Sequence, residues 1–181
     1  MGHRLSKIVT RTGDGGQTGL TTGERVDKFH PRVSAMGEVD ELNCVIGLLL
    51  IHPLPEALRE RLQRVQHELF DLGGELSMPG RVFFKPEAVL ALDQALDDLN
   101  RELPPLKEFV LPGGTPASAQ AHQARAVARR AERSLWALHA AEPLNPDLMR
   151  YLNRLSDYLF VAARVLLRGA GGDEVGWRRS G

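Results

Sequence analysis

One segment near the N-terminus combines the residue types that could hold a phosphate. It runs Thr10-Arg11-Thr12-Gly13-Asp14-Gly15-Gly16-Gln17-Thr18. Glycine allows positive φ angles and lets a ligand approach the main chain, so successive N–H groups can form a concave anion site. The threonine hydroxyls can add further donors. The segment predicts phosphate binding, with a plain glycine-rich turn as the alternative. It is not a P-loop, because no Gly-Lys-Ser/Thr follows at the required spacing.

A second candidate is an arginine-rich stretch within a predicted helix. Residues 125–133 contain four arginines and no lysine. Arg125, Arg129 and Glu132 lie at i, i+4 and i+7, which places them on one helix face. A guanidinium group binds phosphate oxygens with two parallel hydrogen bonds, which lysine cannot do. Phosphate binding is therefore one interpretation, and a solvated face with weak Glu–Arg pairs is the other.

Two further helices carry polar stripes that a simple bundle does not need. Inward polar faces of helical bundles house a ligand or meet another subunit. The later helix has Asn153, Asp157, Phe160 and Arg164 at intervals of three and four, and the first helix offers Asp40, Glu41 and Asn43.

Phe109 belongs to the linker Glu108-Phe109-Val110-Leu111-Pro112-Gly113-Gly114. The two glycines let this linker turn tightly. An aromatic residue in such a place is usually anchored in the core, and a wall against a cofactor is the less common interpretation.

Several chemistries lack support in the sequence. None of the six histidines follows a glutamate by three positions, which disfavours a di-iron carboxylate centre. No cysteine and histidine spacing suits structural zinc, and no nucleophile elbow is present. His122 and His139 are interpreted as surface or packing residues. The single cysteine, Cys44, is expected to be a buried small hydrophobe in a reducing compartment.

The composition limits the classes of protein to which this chain can belong. The 181 residues are 43% hydrophobic and 25% charged, with a formal net charge of zero. This balance argues against bulk electrostatic binding to nucleic acid or to an anionic membrane. No apolar run approaches the roughly 20 residues that span a bilayer, and no signal-peptide pattern is visible. We expect a cytoplasmic protein.

The elements that must position these residues are helices. Apolar residues recur at spacings of three and four in five segments, separated by proline and glycine breaks. Thr115-Pro116 and Asn145-Pro146 read as cap-plus-proline helix starts. We predict an all-α fold, a five-helix antiparallel bundle over residues 31–168. An irregular arm (residues 1–30), which contains the candidate phosphate loop, precedes it, and a short tail (169–181) completes the single domain. We assign no role to Trp177 in this tail.

Taken together, the chain resembles the PduO-type ATP:cob(I)alamin adenosyltransferases over nearly its whole length. The resemblance rests on five segments in order: residues 10–18, Gly37-Glu38-Val39-Asp40-Glu41-Leu42-Asn43, residues 109–114, Arg129-Arg130-Ala131-Glu132-Arg133, and Asn153-Arg154-Leu155-Ser156-Asp157-Tyr158-Leu159-Phe160. It implies a homotrimer of five-helix bundles with each active site between neighbouring subunits. The implied reaction transfers the 5′-deoxyadenosyl group of ATP to the cobalt of cob(I)alamin, with Mg²⁺ accompanying the ATP.

The resemblance also implies roles for single residues. The loop wraps the nucleotide phosphates, and Lys28 binds the triphosphate. Phe109 contacts the corrinoid and excludes its lower axial ligand, while Arg125 and Asp40 bridge the subunit interface near the ATP. The implied catalytic residues are Arg125, Arg129, Asp40 and Phe109. The implied ATP-binding residues are Thr10, Arg11, Thr12, Gly13, Thr18, Lys28, Arg129, Arg130, Ala131, Glu132, Arg133 and Asn153. Arg11 stands where lysine is common in the family.

The corrinoid is itself the nucleophile in the implied reaction, so the protein needs no nucleophilic side chain. A reductase and an adenosylcobalamin-dependent client enzyme are the implied protein partners. Two other classes stay open: a non-catalytic ATP- or corrinoid-binding carrier or sensor, and a purely structural trimeric bundle.

Overall fold

Five α-helices dominate the protein, as the apolar periodicity predicts. The structure, a computed structural model, describes residues 8–179. The predicted all-α five-helix fold is confirmed. The arm departs from the irregular chain that we expected, because it contains a short antiparallel hairpin in which Thr18 pairs with Val26. In chain order the elements are β1 (Gln17–Gly19), β2 (Arg25–Asp27), α1 (Pro31–Leu50), α2 (Glu56–Leu76), α3 (Glu87–Arg101), α4 (Pro116–Ala141) and α5 (Pro146–Gly169).

Three helices begin with a capping side chain followed by proline. Thr115 Oγ1 accepts a hydrogen bond from the Ser118 amide at 3.2 Å, and Asn145 Oδ1 accepts one from the Asp147 amide at 3.1 Å. Both starts match the prediction. The cap of α1 was not foreseen: His30 Nδ1 accepts from the Arg32 amide at 3.1 Å. Proline is tolerated after each cap because its missing N–H has no partner in a first helical turn.

The core lies between the apolar faces of the helices. Helix α4 packs on both α1 and α5, α3 packs on α5, and α2 packs on α1. Small residues allow the close approach of α4: Ala121, Ala124, Ala128 and Ala131 have no exposed surface. Leucines of α1 and α5 fill the space around them. Between Ala121 and Ala131, helix α4 therefore packs closely on the core, and its exposed Arg129 lies on the side away from these alanines.

A polar network joins α2 to α5 inside the bundle. Arg61 donates two hydrogen bonds to the Glu68 carboxylate, at 3.0 and 2.9 Å. The Tyr151 hydroxyl donates to the same carboxylate at 2.6 Å. Burial, reinforced by the nearby Glu68 charge, raises the pKa of Tyr151 well above its ordinary value. The phenol therefore stays protonated and acts as a donor.

The arm is attached to the bundle at the end of α2. The Thr21 amide donates to the Ser77 carbonyl at 3.1 Å, and the two side-chain hydroxyls lie 2.7 Å apart. Leu20, beside this contact, is buried. The hairpin is thus fixed at one point, while most of the loop before it is exposed.

The expectation for Cys44 was wrong, because its side chain is exposed on α1. An apolar run on a helix necessarily places some members on the outer face, and Cys44 and Leu48 lie there. None of the helices within residues 8–179 is long and apolar enough to cross a membrane.

The cap of α4 has a measurable effect on stability. We expect Thr115→Ala to lower the free energy of unfolding by about 1 kcal/mol, because the Ser118 amide loses its acceptor. Urea denaturation of the purified protein measures this change. Thr115→Ser keeps the hydroxyl and should retain most of the stability. Equal losses in both variants would contradict the capping role.

Candidate active site

The arm contains a loop whose two ends are joined by hydrogen bonds from one side chain, Arg25. Arg25 donates to the Thr12 carbonyl at 2.7 Å and to the Gln17 carbonyl at 3.2 Å, which ties the two ends of the loop together. The Thr10 and Thr12 hydroxyl oxygens lie 3.0 Å apart. Arg11 adopts a φ of 59°, a strained value for a residue with a side chain. Such strain is concentrated at functional sites.

Lys28 places a cation over this loop. Its amide donates to the Gly16 carbonyl at 2.9 Å. A Cβ atom on Gly13 would lie 3.2 Å from Lys28 Nζ, so the glycine leaves the room that the ammonium group occupies. The Lys28 ammonium group therefore lies beside Gly13, in the loop that also contains the predicted residues Thr10, Arg11 and Thr12.

Helix α4 carries the predicted arginines, which differ in their surroundings. Arg130 forms ion pairs with Glu38, at 3.3 Å, and with Glu41, both on α1. Arg129 and Arg133 are exposed, and neither forms an ion pair within residues 8–179. Burial and the neighbouring Arg129 charge lower the pKa of the half-buried Arg125. The outer face of α4 is thus electropositive where an anion could reach it.

Asn153 on α5 lies beside the same face. Its side-chain amide donates to the Glu132 carboxylate at 3.2 Å, which joins two predicted site residues across the α4–α5 contact. Ala131, within the same stretch, is buried against the core. Its contribution to a site is therefore limited to the close backbone packing of the helix.

A cleft of about 640 Å³ opens between the α3–α4 linker and the outer faces of α4 and α5. This volume is typical of small-molecule sites. Phe109 on its rim is 82% exposed, so the core-anchored interpretation of this residue was wrong. The lining residues are Leu106, Lys107, Glu108, Phe109, Val110, His122, Arg125 and Phe160.

Sequence reasoning missed His122 as part of this cleft. Its ring packs edge-to-face on Phe160, with centroids 6.0 Å apart, and its Nδ1 atom is buried without a hydrogen-bond partner in the structure. Burial, followed by repulsion from Arg125, lowers the pKa of His122 below its usual 6.5. The position of His122, one helical turn before the arginine stretch, is the feature of the sequence that could have indicated its place in the site.

The pKa of His122 predicts a pH dependence of stability. The unfolded chain takes up the His122 proton near pH 6.5, whereas the folded protein takes it up only at lower pH. The folded state therefore loses stability as the pH falls below 6.5. Thermal melts of wild type and His122→Gln between pH 7.5 and about 5 should show a smaller decline for the variant. Parallel curves would contradict a depressed pKa.

The loop and the cleft do not meet within one chain. Ion pairs of Arg32 with Glu142 and of Arg130 with Glu38 show that α1 and α4 are antiparallel. The arm joins α1 at the Glu142 end, whereas Arg125 lies seventeen residues earlier on α4, about 25 Å away along the helix. No hydrogen bond links residues 8–28 to α4. Asp40 is likewise exposed on α1, and no ion pair within the described chain joins it to Arg125.

The tail contributes contacts that the sequence did not indicate. The Leu111 amide donates to the Val175 carbonyl at 2.9 Å, and the Trp177 amide donates to the Phe109 carbonyl at 2.7 Å. Arg164, predicted as part of a polar ligand face, is instead buried and paired with Glu174 at 2.8 Å. The tail therefore contacts the linker that carries Phe109, and this linker lines the cleft.

The family model described as cobalamin adenosyltransferase matches residues 8–166. The chain belongs to the cobalamin adenosyltransferase family. A cobalamin adenosyltransferase from Cupriavidus metallidurans is 58% identical over 99% of this chain and 98% of its own length. A corrinoid adenosyltransferase from Bacillus subtilis is 45% identical over 96% of this chain and 93% of its own. The protein is accordingly an enzyme, a corrinoid adenosyltransferase, and the predicted resemblance is confirmed.

Solved structures agree in fold with this cobalamin adenosyltransferase. A Phe-to-Ala variant of the PduO-type ATP:corrinoid adenosyltransferase from Lactobacillus reuteri, complexed with cobalamin and ATP, has a TM-score of 0.91 and 36% identity. It covers 96% of this chain, and this chain covers all of it. An Arg-to-Lys variant of the same enzyme, complexed with ATP, has a TM-score of 0.90 over 94% of this chain.

Proposed function

We propose that this enzyme transfers the 5′-deoxyadenosyl group of ATP to the cobalt of cob(I)alamin, giving adenosylcobalamin and inorganic triphosphate. The observation that carries the proposal is the coexistence of a phosphate-type loop under Lys28 and an aromatic cleft beside an arginine helix. The first suits the triphosphate, and the second suits a large, flat, apolar ligand. The solved complexes of a relative with cobalamin and ATP support both ligands.

The triphosphate is held by the loop and by the arginine helix. Exposed amides of residues 10–18 and the Lys28 ammonium group bind the phosphate oxygens from one side. Arg129 and Arg133, which lack ion-pair partners in the described chain, bind them from the other. Thr18 and Arg130 also belong to the proposed ATP site, and Arg130 is held in place there by its ion pairs with Glu38 and Glu41.

The separation of the two surfaces supports a site between subunits. Loop and cleft lie at different ends of α4 in one chain, so a second copy must bring its loop to the arginines of the first. The resemblance to the PduO-type enzymes implies that this assembly is a homotrimer, in which Asp40 of one subunit pairs with Arg125 of the next. Each subunit forms one domain over residues 1–181. A burial-depressed pKa on Arg125 suits this role, since an approaching carboxylate would stabilise its charge.

The reaction follows from the chemistry of the substrates. The Co(I) electron pair attacks the ribose 5′-carbon, the C–O bond to the triphosphate breaks, and the leaving group departs with that bonding pair. The protein aligns the two substrates and stabilises charge on the leaving oxygen. Lys28 and the arginines supply that stabilisation. Mg²⁺ bound together with the ATP would add to that stabilisation.

Phe109 acts on the corrinoid. An exposed phenyl ring at the cleft rim offers no atom that can ligate cobalt. In the role that the family resemblance implies, this ring would keep a lower axial ligand away from the cobalt. Loss of an axial ligand makes Co(II) easier to reduce, because axial ligation stabilises the oxidised metal. A cytoplasmic reductase would then supply the electron, and an adenosylcobalamin-dependent enzyme would receive the product.

An anaerobic assay tests the proposal. Protein, ATP, Mg²⁺ and chemically reduced cob(I)alamin are mixed, and the decay of cob(I)alamin absorption is followed. Light-sensitive adenosylcobalamin and an equal amount of triphosphate are the expected products. Saturable ATP binding without any product would contradict the enzymatic assignment and favour a carrier or sensor.

A further inference from the structure

The tail of this chain is attached to α5 by the nearly buried carboxylate of Glu174, which contacts the buried Arg164 and the exposed Arg168. Glu174 is 8% exposed at its side chain, and its carboxylate pairs with Arg164 at 2.8 Å and with Arg168 at 2.6 Å. The two arginines hold the pKa of Glu174 down to about 2. Arg164 also donates to the Pro104 carbonyl at 2.7 Å, so the same guanidinium holds the start of the α3–α4 linker.

Beyond these contacts the tail pairs with the linker as a strand would. Val110 and Gly176 form an antiparallel bridge, flanked by the Leu111–Val175 and Trp177–Phe109 hydrogen bonds. The linker is therefore fixed on both sides of Val110. Phe109, which is exposed itself, owes its position to a backbone that the tail holds.

We propose that Glu174 is a positioning residue: by clamping residues 174–177 to α5, it fixes the backbone of residues 109–111 and thereby the orientation of the Phe109 ring at the cleft. This inference rests on the proposed function for its catalytic part. Its structural part stands on the contacts alone. An exposed ring on a free loop would lose its orientation, and a displacement of about 1 Å at a positioned group can cost on the order of a hundredfold in rate.

Glu174→Gln and Asp173→Asn form a matched pair for the test. Both remove one negative charge from adjacent positions of the tail. Asp173 is 88% exposed and lies 3.7 Å from Arg168. Glu174→Gln should release the tail, because a neutral amide cannot balance two guanidinium groups, while Asp173→Asn should leave it in place.

Tail release is measured by fluorescence in a Trp136→Phe background, where Trp177 is the remaining tryptophan. Acrylamide quenching of Trp177 and amide exchange at Leu111 should both increase in Glu174→Gln and not in Asp173→Asn. Circular dichroism checks that the bundle stays folded. Unchanged quenching and exchange in a folded Glu174→Gln variant would overturn the clamp, whether or not the protein is an adenosyltransferase.

The positioning role is measured with cob(II)alamin, ATP and a reductant. Glu174→Gln should lower the rate from Co(II) by on the order of tenfold or more, with the KM for ATP unchanged. The electron paramagnetic resonance spectrum of the bound Co(II) substrate should retain the signal of an axially ligated cobalt. A released tail with wild-type rates and spectra would overturn the positioning role. Absence of transfer in the wild type would instead count against the proposed function, leaving the quenching result valid.

Discussion

Replacing Arg129 with alanine is expected to lower the rate of adenosyl transfer by on the order of 10² to 10³. Arg129 is exposed on α4 and forms no ion pair within the described residues, so its charge is available to the leaving triphosphate. Charge on that group increases in the transition state, and a preformed guanidinium contact therefore stabilises the transition state more than the bound substrate. Steady-state kinetics with cob(I)alamin and varied ATP measures the effect.

Arg101→Ala provides the control for Arg129→Ala. Arg101 is a 70% exposed arginine on α3 that pairs with Asp98 and does not line the cleft. Its loss should leave the kinetics unchanged, and both variants should keep the wild-type helical content and oligomeric mass. Wild-type kinetics in Arg129→Ala would remove this residue from the site. Arg129→Lys keeps the charge without the bidentate fork, so an intermediate rate is expected.

Phe109→Ala should impair the reaction that starts from Co(II) far more than ATP binding. Without the ring, water or another lower ligand can reach the cobalt, and the ligated Co(II) is harder to reduce. We expect a loss on the order of a hundredfold or more, a value characteristic of losing one positioned group. The measurement compares rates from Co(II) and from prereduced Co(I), together with ATP affinity by calorimetry.

The rates of Phe109→Ala from Co(II) and from Co(I) distinguish a loss of ligand exclusion from a general loss of activity. A much smaller loss from Co(I) than from Co(II) is expected, because prereduction bypasses the step that the ring assists. Equal losses from both states, or weaker ATP binding of similar size, would contradict the ligand-exclusion role. Leu90→Ala removes another exposed apolar side chain, 65% exposed on α3, and should have no effect.

Much of the fold was predictable because it depends on local patterns. Apolar spacing identified five helices, and the cap-plus-proline pairs at Thr115 and Asn145 gave two of their starts. The arm hairpin escaped prediction, since each of its strands has three residues and depends on cross-strand pairing and on contact with Ser77.

Some parts of the candidate site were likewise predictable from the sequence, and others were not. The loop and the arginine stretch were predicted as phosphate sites because their residue types suit phosphate in any context, whereas Lys28 was predicted only from the resemblance to the family. The exposure of Phe109 and Cys44 was not predictable, because the side of a linker or helix that faces solvent depends on what packs against it. The place of His122 in the cleft depends on the packing of α4 against α5, which brings its ring against Phe160.

By itself, the sequence determined the family and the five helices. Periodicity, capping and residue chemistry act over a few neighbouring positions, so they can be read along the chain. The tertiary structure alone decided that the loop and the cleft lie apart in one subunit and that the tail holds the Phe109 linker. Those outcomes depend on contacts such as Glu174 with Arg164 and Val110 with Gly176, which join distant segments through packing that no local pattern encodes.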